Sequence, residues 1–425
     1  MTLLADLLSS LFDRRYRTFL PGGDDNRSME ELTAALIGAA GEVSGSTIAR
    51  HILDRYERAD ESEKQAFFRH LAEDMAVSVA DLREALETYE KGQSKASYRA
   101  LVHTAEPKRQ ELIRRLNQVP DATRSLVAMR EDLLRFSKSD DALQALDVDF
   151  GHLFASWFNR GFLVLRPINW ESPANILEKI IAYEAVHAIH SWDDLRRRLQ
   201  PADRRCFAFF HPTMPDEPLI FVEVALTKGI PSSVQDLLSE EREHIEAEDA
   251  NTAVFYSISN CQKGLAGISF GNSLIKQVAA DLSLELQGLK TFVTLSPIPG
   301  FRSWAEKAEL EPLPDDPKQL KALAAHYLIA AKRPNGMPLD PVARFHLGNG
   351  AQVYQVHADA DLSEKGQQQS AGVMVNYLYN LAKVSQNHER FASSHEIAAS
   401  SDIKSLSAAA EKQLDRSPTD GQPAL

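Results

Sequence analysis

The chain has little cysteine and no excess of positive charge. Among 425 residues only Cys206 and Cys261 are cysteines, too few for a disulfide framework or a cysteine-based zinc site. We therefore expect no metal held by cysteines and a reducing compartment. Lys plus Arg number 47 and Asp plus Glu number 60, which gives a net charge of -13. This balance argues against a nucleic-acid partner, because such binding needs a basic face.

Long apolar runs are also lacking. No stretch approaches the roughly 20 residues of a membrane span, so no membrane association is expected. The N-terminal stretch carries Asp6 before any basic residue, which is not typical of a signal peptide. Its leucines and Phe12 fit one face of a short helix, and its arginines come late for a mitochondrial presequence. We predict a cytoplasmic protein.

Proline is scarce in the first part of the chain. Three of the 20 prolines, Pro21, Pro107 and Pro120, precede residue 159, together with seven of the 20 glycines. Proline and glycine interrupt helices. The contrast predicts two architectures that meet near residue 158.

The first part has the pattern of helices. Ser28 and Glu31 form a capping box at a helix start, and Ser78 is a second predicted N-cap. Apolar residues follow at helical spacing through most of the region. We predict an all-α, bundle-like domain of about seven to nine helices over residues 1–158. No catalytic motif is found there.

The second part mixes strand and helix patterns. Runs of β-branched and aromatic residues predict strands at 162–165, 207–210, 219–226, 252–259 and 291–296. Helical periodicity covers 173–187, 192–199 and 273–282. Strand, glycine turn, helix and strand over 252–296 make a βαβ unit. The predicted fold class is α+β, with a mixed α/β domain over 159–400 and a flexible tail over 401–425.

A glycine-rich loop lies between the strand and the helix of that unit. Gly264, Gly267 and Gly271 let the backbone approach an anion, and the following helix N-terminus favours one. The loop matches neither G-x-G-x-x-G nor a P-loop, and a purely structural turn is the alternative. The stretch Cys261-Gln-Lys-Gly-Leu-Ala266 resembles the acyl-CoA loop of the GNAT acetyltransferase fold, with cysteine at a position that usually holds Gln or Arg.

A wider resemblance rests on uncommon strings. Ser296-Pro-Ile-Pro-Gly-Phe301, the Phe-His-Leu-x-Asn-Gly string at 345–350, Phe255–Ser259 and Gly372–Tyr377 are similar to blocks of the malonyl-CoA decarboxylase family, over most of residues 160–380. The resemblance implies an N-terminal helical domain, a C-terminal GNAT-like catalytic domain, and a homo-oligomer, either a dimer or a tetramer.

The resemblance also implies the reaction. Malonyl-CoA would lose CO2 and give acetyl-CoA through an enolate, and the thioester itself accepts the electrons, so no cofactor is required. His346 matches the family's proton donor, and imidazole titrates near working pH. Ser296 matches the residue called the proton acceptor. A serine hydroxyl can also hydrogen-bond to the malonyl carboxylate or to an enolate oxygen.

Substrate binding is attributed to the glycine loop and to two further positions. The loop residues are Gly264, Gly267, Ile268, Ser269, Phe270, Gly271, Asn272 and Ser273, which would hold the CoA pyrophosphate through backbone N–H groups. Ser257 and Tyr379 match family positions near the substrate. Some relatives carry an acid where this chain has Phe270, so a mechanism that uses that acid does not transfer.

Other constellations and functions stay open at this point. His187 and His190 have helical i, i+3 spacing but no third metal ligand, and His388 and His395 lie in a polar region. Cys261 has no paired base. The alternative functions are a GNAT-type acyl-CoA N-acyltransferase and a catalytically inactive CoA-binding scaffold. An assay of malonyl-CoA with acetyl-CoA and CO2 both measured separates them.

Overall fold

The computed structural model describes residues 25–39, 41–268 and 274–414. The chain divides into two compact units. The first contains the described residues up to Phe158 together with Gln262–Ile268, and the second contains Asn159–Cys261 with the described residues from 274 onward. The short N-terminal helix predicted around Phe12 lies outside the described residues.

The first unit is helical. Within its described residues it has eight α-helices: α1 Met29–Gly38, α2 Glu42–Arg58, α3 Glu61–Glu73, α4 Val79–Lys91, α5 Lys95–Ala105, α6 Lys108–Leu116, α7 Ala122–Phe136 and α8 Asp141–Trp157. The capping box of Ser28 and Glu31 is present at α1, and Ser78 caps α4 by accepting from Asp81 N–H. The core is built from fully buried apolar side chains such as Phe68, Leu126 and Phe150.

The segment Gln262–Ile268 packs within the helical unit. A side chain at Gly264 would place its Cβ 1.9 Å from the carbonyl oxygen of Val127 on α7, so only glycine fits there. Arg130 on the same helix donates to the carbonyls of Gly264 and Ala266 at 2.8 and 3.0 Å. These contacts fix the backbone of the segment against α7.

The second unit is built on a mixed sheet. Its described strands are β1 Val164–Ile168, β2 Arg204–His211, β3 Met214–Thr227, β4 Thr252–Asn260, β5 Thr291–Thr294, β6 Ser296–Pro297, β7 Gln352–His357 and β8 Met374–Leu378. The order is β1-β2-β3-β4-β5-β8-β6, and β7 pairs with β8. Only β4 and β5 pair in parallel among these strands.

Helices cover this sheet. In the described residues they are α9 Ala174–Tyr183, α10 Trp192–Leu199, α11 Val234–Leu238, α12 Leu274–Glu285, α13 Phe301–Lys307, α14 Pro317–Ala330, α15 Pro341–Gly348, α16 Glu364–Ser370, α17 Val384–Ser394 and α18 Ser401–Leu414. The helix α12 joins β4 to β5, as the βαβ pattern predicts. A helical N-terminal part followed by a mixed α/β part confirms the predicted α+β class. No helix in the described ranges is long and apolar enough to cross a membrane.

The flexible tail predicted over 401–425 is wrong for its first fourteen residues. Ser401–Leu414 forms α18, with Ile403 and Ala410 buried at a seven-residue spacing. The Ser407 hydroxyl lies 3.3 Å from Nδ1 of His326 on α14. Tertiary burial therefore orders a segment that looks polar in sequence, while residues 415–425 lie outside the described part.

Removing the Arg130 guanidinium tests how the segment 262–268 is held. Arg130→Met keeps an apolar stem beside Phe154 but leaves two carbonyls without their donor and Asp147 without its ion pair, so we expect a loss of about 2–4 kcal/mol in stability. Thermal unfolding and faster hydrogen exchange in a peptide spanning 262–268 would report it. Arg83→Met, at an exposed position of α4, is the matched control, and equal exchange in both variants would contradict the assignment.

Candidate active site

Ser296 lies where strand β5 gives way to β6. Its Cα partner is Val375 of β8, and only 5% of the residue is exposed. Thr294, two positions earlier, projects to the same face because strand side chains alternate. Pro297 follows at once and still pairs with Met374. The serine is thus fixed by strand pairing on one side and by a proline turn on the other.

His346 comes from a different element, the short helix α15. Asp340 caps this helix and Pro341 takes its first position, a favourable helix start. The imidazole is 2% exposed. Its ring stacks on Tyr377 of β8, with ring centroids 4.5 Å apart. Tyr379 follows β8, and its N–H donates to the Phe292 carbonyl at 2.8 Å.

These side chains form one chain of hydrogen bonds. The Ser296 hydroxyl donates to Thr294 Oγ1 at 2.8 Å, and its oxygen lies 3.2 Å from His346 Nε2. Since Ser296 has a single proton, it accepts from His346, which places the imidazole proton on Nε2. His346 Nδ1 then accepts from the Tyr379 hydroxyl at 2.8 Å. The structure therefore joins three of the predicted site residues, Ser296, His346 and Tyr379.

Burial sets the charge of the side chains in this chain of hydrogen bonds. Loss of solvation lowers the pKa of His346 from 6.5 to about 3 and raises the pKa of Tyr379 well above 10. Both groups are neutral at pH 7 in the ligand-free protein. The expectation that the imidazole titrates near working pH is therefore wrong for this arrangement, because the imidazole is buried.

A gap opens in the sheet beside Ser296. Parallel pairing of β4 and β5 ends at Phe255 and Thr294, and the last bond runs from Leu295 N–H to the Phe255 carbonyl at 3.1 Å. Strand β4 continues to Asn260, whereas the other strand turns toward β8. Among the described residues, this edge of β4 then has no strand partner.

Ser257 lies outside the hydrogen-bond chain. In the sheet register Ser257 lies opposite Glu223, and Glu223 lies opposite Cys206. Cys206 packs in the core under α9 and α10. The Ser257 hydroxyl lies 2.7 Å from each carboxylate oxygen of Glu184. Its side chain thus projects to the face opposite the one that carries Phe255 and Tyr379, so substrate contact by Ser257 stays a prediction.

The glycine loop is described only in part. Gly267 has a φ of +79°, a conformation that favours glycine, and its N–H makes no hydrogen bond to a described residue. Ile268 N–H already donates to the Leu265 carbonyl at 3.0 Å. Gly264 is required for packing, because a Cβ at this position would clash with the carbonyl oxygen of Val127. Ser269, Phe270, Gly271, Asn272 and Ser273 lie outside the described residues.

The competing constellations do not assemble. Helix α9 ends at Tyr183, so His187 and His190 lack helical spacing, and no cluster of three or more metal-ligating side chains occurs in the described ranges. His388 lies on α17, with Nδ1 2.6 Å from the Gly348 carbonyl, and His395 ends that helix. Burial raises the pKa of Cys261 well above 9, which does not suit a nucleophile.

Three residues beside the site escaped sequence reasoning. Thr294 and Tyr377 each lie two positions from a predicted site residue, so strand alternation is a signal for both. Asp340 precedes Pro341, a signal for a helix start. None of these signals indicates contact with the Ser296–His346 pair.

Comparison with known proteins identifies the family. The model of the malonyl-CoA decarboxylase C-terminal domain matches residues 161–316 and 313–417, and the model of the N-terminal domain matches 75–158. The chain belongs to the malonyl-CoA decarboxylase family. The resemblance carried by the Ser296 and His346 strings is thereby confirmed.

Solved structures and curated relatives agree. The crystal structure of malonyl-CoA decarboxylase from Rhodopseudomonas palustris is 49% identical, covers 91% of this chain and 100% of its own, and has a TM-score of 0.84. That of the Agrobacterium vitis protein is 50% identical, covers 89% and 99%, and also scores 0.84. The mitochondrial malonyl-CoA decarboxylase of Anser anser anser is 35% identical over 358 residues, 71% of this chain and 69% of the relative.

The neutral state of His346 predicts sensitivity to acid. Between its ordinary pKa of 6.5 and its folded value of about 3, the unfolded chain binds a proton that the folded chain does not. The contribution of His346 to the free energy of unfolding is therefore full above pH 6.5 and is lost as the pH falls toward 3. The slope from this group approaches about 1.4 kcal/mol per pH unit.

Urea unfolding at several pH values would measure this slope. His346→Asn should flatten the acid limb, whereas His103→Asn, at an exposed position of α5, should leave it unchanged. The same slope in all three proteins would contradict the assignment.

Proposed function

We propose that this protein decarboxylates malonyl-CoA to acetyl-CoA and CO2, with Ser296 and His346 at the reacting carbon. The observation that carries the proposal is the buried chain from Tyr379 through His346 and Ser296 to Thr294, in a protein of this family. It lies where β5 gives way to β6, beside the edge of β4 that has no strand partner among the described residues.

The charge of the substrate completes the mechanism. A malonyl carboxylate beside His346 favours the protonated imidazole, so the residue gains a proton from solvent as the substrate binds. Cleavage of the bond between C2 and the carboxyl carbon releases CO2 and leaves an enolate. His346 then protonates C2, and one proton is consumed in each turnover.

The Ser296 hydroxyl serves as a hydrogen-bond donor in this proposal. In the ligand-free arrangement His346 Nε2 carries a proton and donates it to Ser296 Oγ, so no base is in place to deprotonate the serine. When substrate binds, the hydroxyl can turn from Thr294 to the malonyl carboxylate or to the enolate oxygen. A donor at the enolate oxygen stabilises developing charge. The role of proton acceptor, which the resemblance implies for Ser296, stays a prediction.

Binding of CoA is assigned to the glycine loop. The N–H of Gly267 has no partner among the described residues and supports contact with the pyrophosphate. Gly264 supports it indirectly, since its fit against Val127 holds the segment. Ile268 N–H is already bonded and is a weaker candidate. The roles of residues 269–273 stay predictions.

Two substitutions test the reacting pair. His346→Asn removes the proton donor and Ser296→Ala removes the hydroxyl, and we expect each to lower kcat by about 10²–10⁴-fold. Release of CO2 and formation of acetyl-CoA should be measured together, with an amine acceptor present in a parallel reaction. His103→Asn and Ser232→Ala, both at exposed positions, are matched controls. Full activity in either site variant, or acyl transfer to the amine, would contradict the proposal.

We also propose a homo-oligomer, a dimer or a tetramer, formed through the helical unit. Helix α4 is amphipathic yet has no buried residue. Together with α5 it exposes apolar side chains, including Leu86 at 45%, Val102 at 49% and Tyr98 at 57%. An apolar surface of this kind suits a protein interface.

Charge on that surface tests the oligomer. Leu86→Glu with Val102→Glu should lower the mass measured by light scattering, because buried charges oppose association. Ser62→Glu, an exposed position on α3, is the control. A monomeric wild-type protein, or no change of mass in the double variant, would contradict the proposal.

Location in the cytoplasm is likewise a proposal. The two cysteines are free and buried, which suits a reducing compartment. Because curated relatives from goose and rat are named as mitochondrial, imaging of the tagged full chain against mitochondrial and cytosolic markers decides it.

A further inference from the structure

One buried carboxylate connects the elements that carry the reacting pair. Asp340 is 1% exposed and lies outside the hydrogen-bond chain of Ser296 and His346. One of its oxygens accepts from Ala343 N–H at 2.8 Å, in the first turn of α15. The other accepts from Gly300 N–H at 3.3 Å and from the Tyr327 hydroxyl at 3.4 Å.

Each of these donors belongs to a different element. Ala343 lies on α15, three residues before His346. Gly300 closes the proline turn, four residues after Ser296. Tyr327 lies on α14 and packs its ring on Phe301, with centroids 5.8 Å apart. The carboxylate therefore joins the turn that follows Ser296 to the helix that carries His346.

We infer that Asp340 is a positioning residue that fixes the distance between Ser296 and His346. The inference rests on the proposed roles of those two residues. Strand pairing places Ser296, and α15 is a short helix whose start is set by its cap. The stacking of His346 on Tyr377 already connects the helix to the sheet, and Asp340 adds a second connection, to the turn that follows Ser296. Reacting groups lose about 10²-fold in rate when misplaced by 1 Å.

The close fit at Gly300 supports this inference. A Cβ at this residue would lie 2.2 Å from the Tyr327 hydroxyl and 3.6 Å from Asp340 Oδ2. Because glycine leaves room for both groups, the turn comes close enough for its N–H to reach the carboxylate.

The arrangement also requires two acceptor oxygens. A carboxylate accepts on both sides, whereas an asparagine amide has one acceptor and one donor. Asp340→Asn can keep its oxygen on Ala343 N–H, and its NH2 group then faces the N–H of Gly300. Two donors in contact repel, so the helix cap survives while the bond to the turn is lost.

The chain offers a matched control in Asp316. This residue also precedes a proline and caps its helix, α14, by accepting from Lys318 N–H and Gln319 N–H. It is exposed, and no bond from its side chain to the Ser296 turn or to α15 occurs in the described residues. Asp316→Asn therefore measures the effect of the same substitution at a helix cap alone.

The experiment compares kcat, KM and melting temperature for Asp340→Asn and Asp316→Asn in the full-length protein. We expect Asp340→Asn to lower kcat by about 10–100-fold with KM changed less than about threefold. Asp316→Asn should leave both constants at the wild-type level. Equal kcat in the two variants, or a loss at Asp340 that appears in KM alone, would overturn the inference.

Tyr327→Phe provides a second measurement if Asp340→Asn does not fold. It removes one donor to Asp340 and keeps the ring packing, so we expect kcat to fall about two- to fivefold at constant KM. A wild-type kcat in Tyr327→Phe, with Asp340→Asn unfolded, would overturn the inference. If His346→Asn and Ser296→Ala are inactive while Asp340→Asn behaves like Asp316→Asn, only the positioning role fails. If the first two are active, the proposed function fails instead.

Discussion

The site is held together by hydrogen bonds between buried side chains, because a buried polar atom without a partner costs free energy. The hydroxyl of Tyr379, both nitrogens of His346 and the hydroxyl of Ser296 each have one. The chain of donors ends at Thr294, whose oxygen also accepts from Tyr377 N–H at 3.1 Å. Because a backbone amide only donates and its strand is fixed by pairing, the sheet itself anchors this end.

The same burial explains how an acidic protein can handle an anionic reaction centre. With the pKa of His346 at about 3, the imidazole carries no positive charge that a stray anion could attract. In the proposed mechanism the substrate brings the charge that makes protonation favourable, so protonation is linked to binding. Such linkage gives a protonated His346 only when the substrate is bound. It requires no basic surface on a chain with a net charge of -13.

Much of this arrangement was visible in the sequence, and some of it was not. The strings around Ser296 and His346 identified the family, and period-two and period-3.6 patterns placed β4, α12 and β5. The sequence does not predict the contacts that hold those residues in place. Asp340 and Gly300 are forty positions apart, and they meet only because of the way their elements pack. The same limit applies to α18, whose few apolar residues needed α14 to bury them, and to Gly264, whose neighbour Val127 lies far away in sequence.

The two aspartate–proline pairs show what a local sequence motif cannot predict. Asp316-Pro317 and Asp340-Pro341 give the same local signal, and both start a helix. A helix cap needs only one carboxylate oxygen, and what happens to the other depends on the surroundings. At α14 it bonds to the same helix; at α15 it is buried against a glycine turn and a tyrosine. A local rule thus places the residue, and the tertiary structure decides whether its second oxygen couples separate elements.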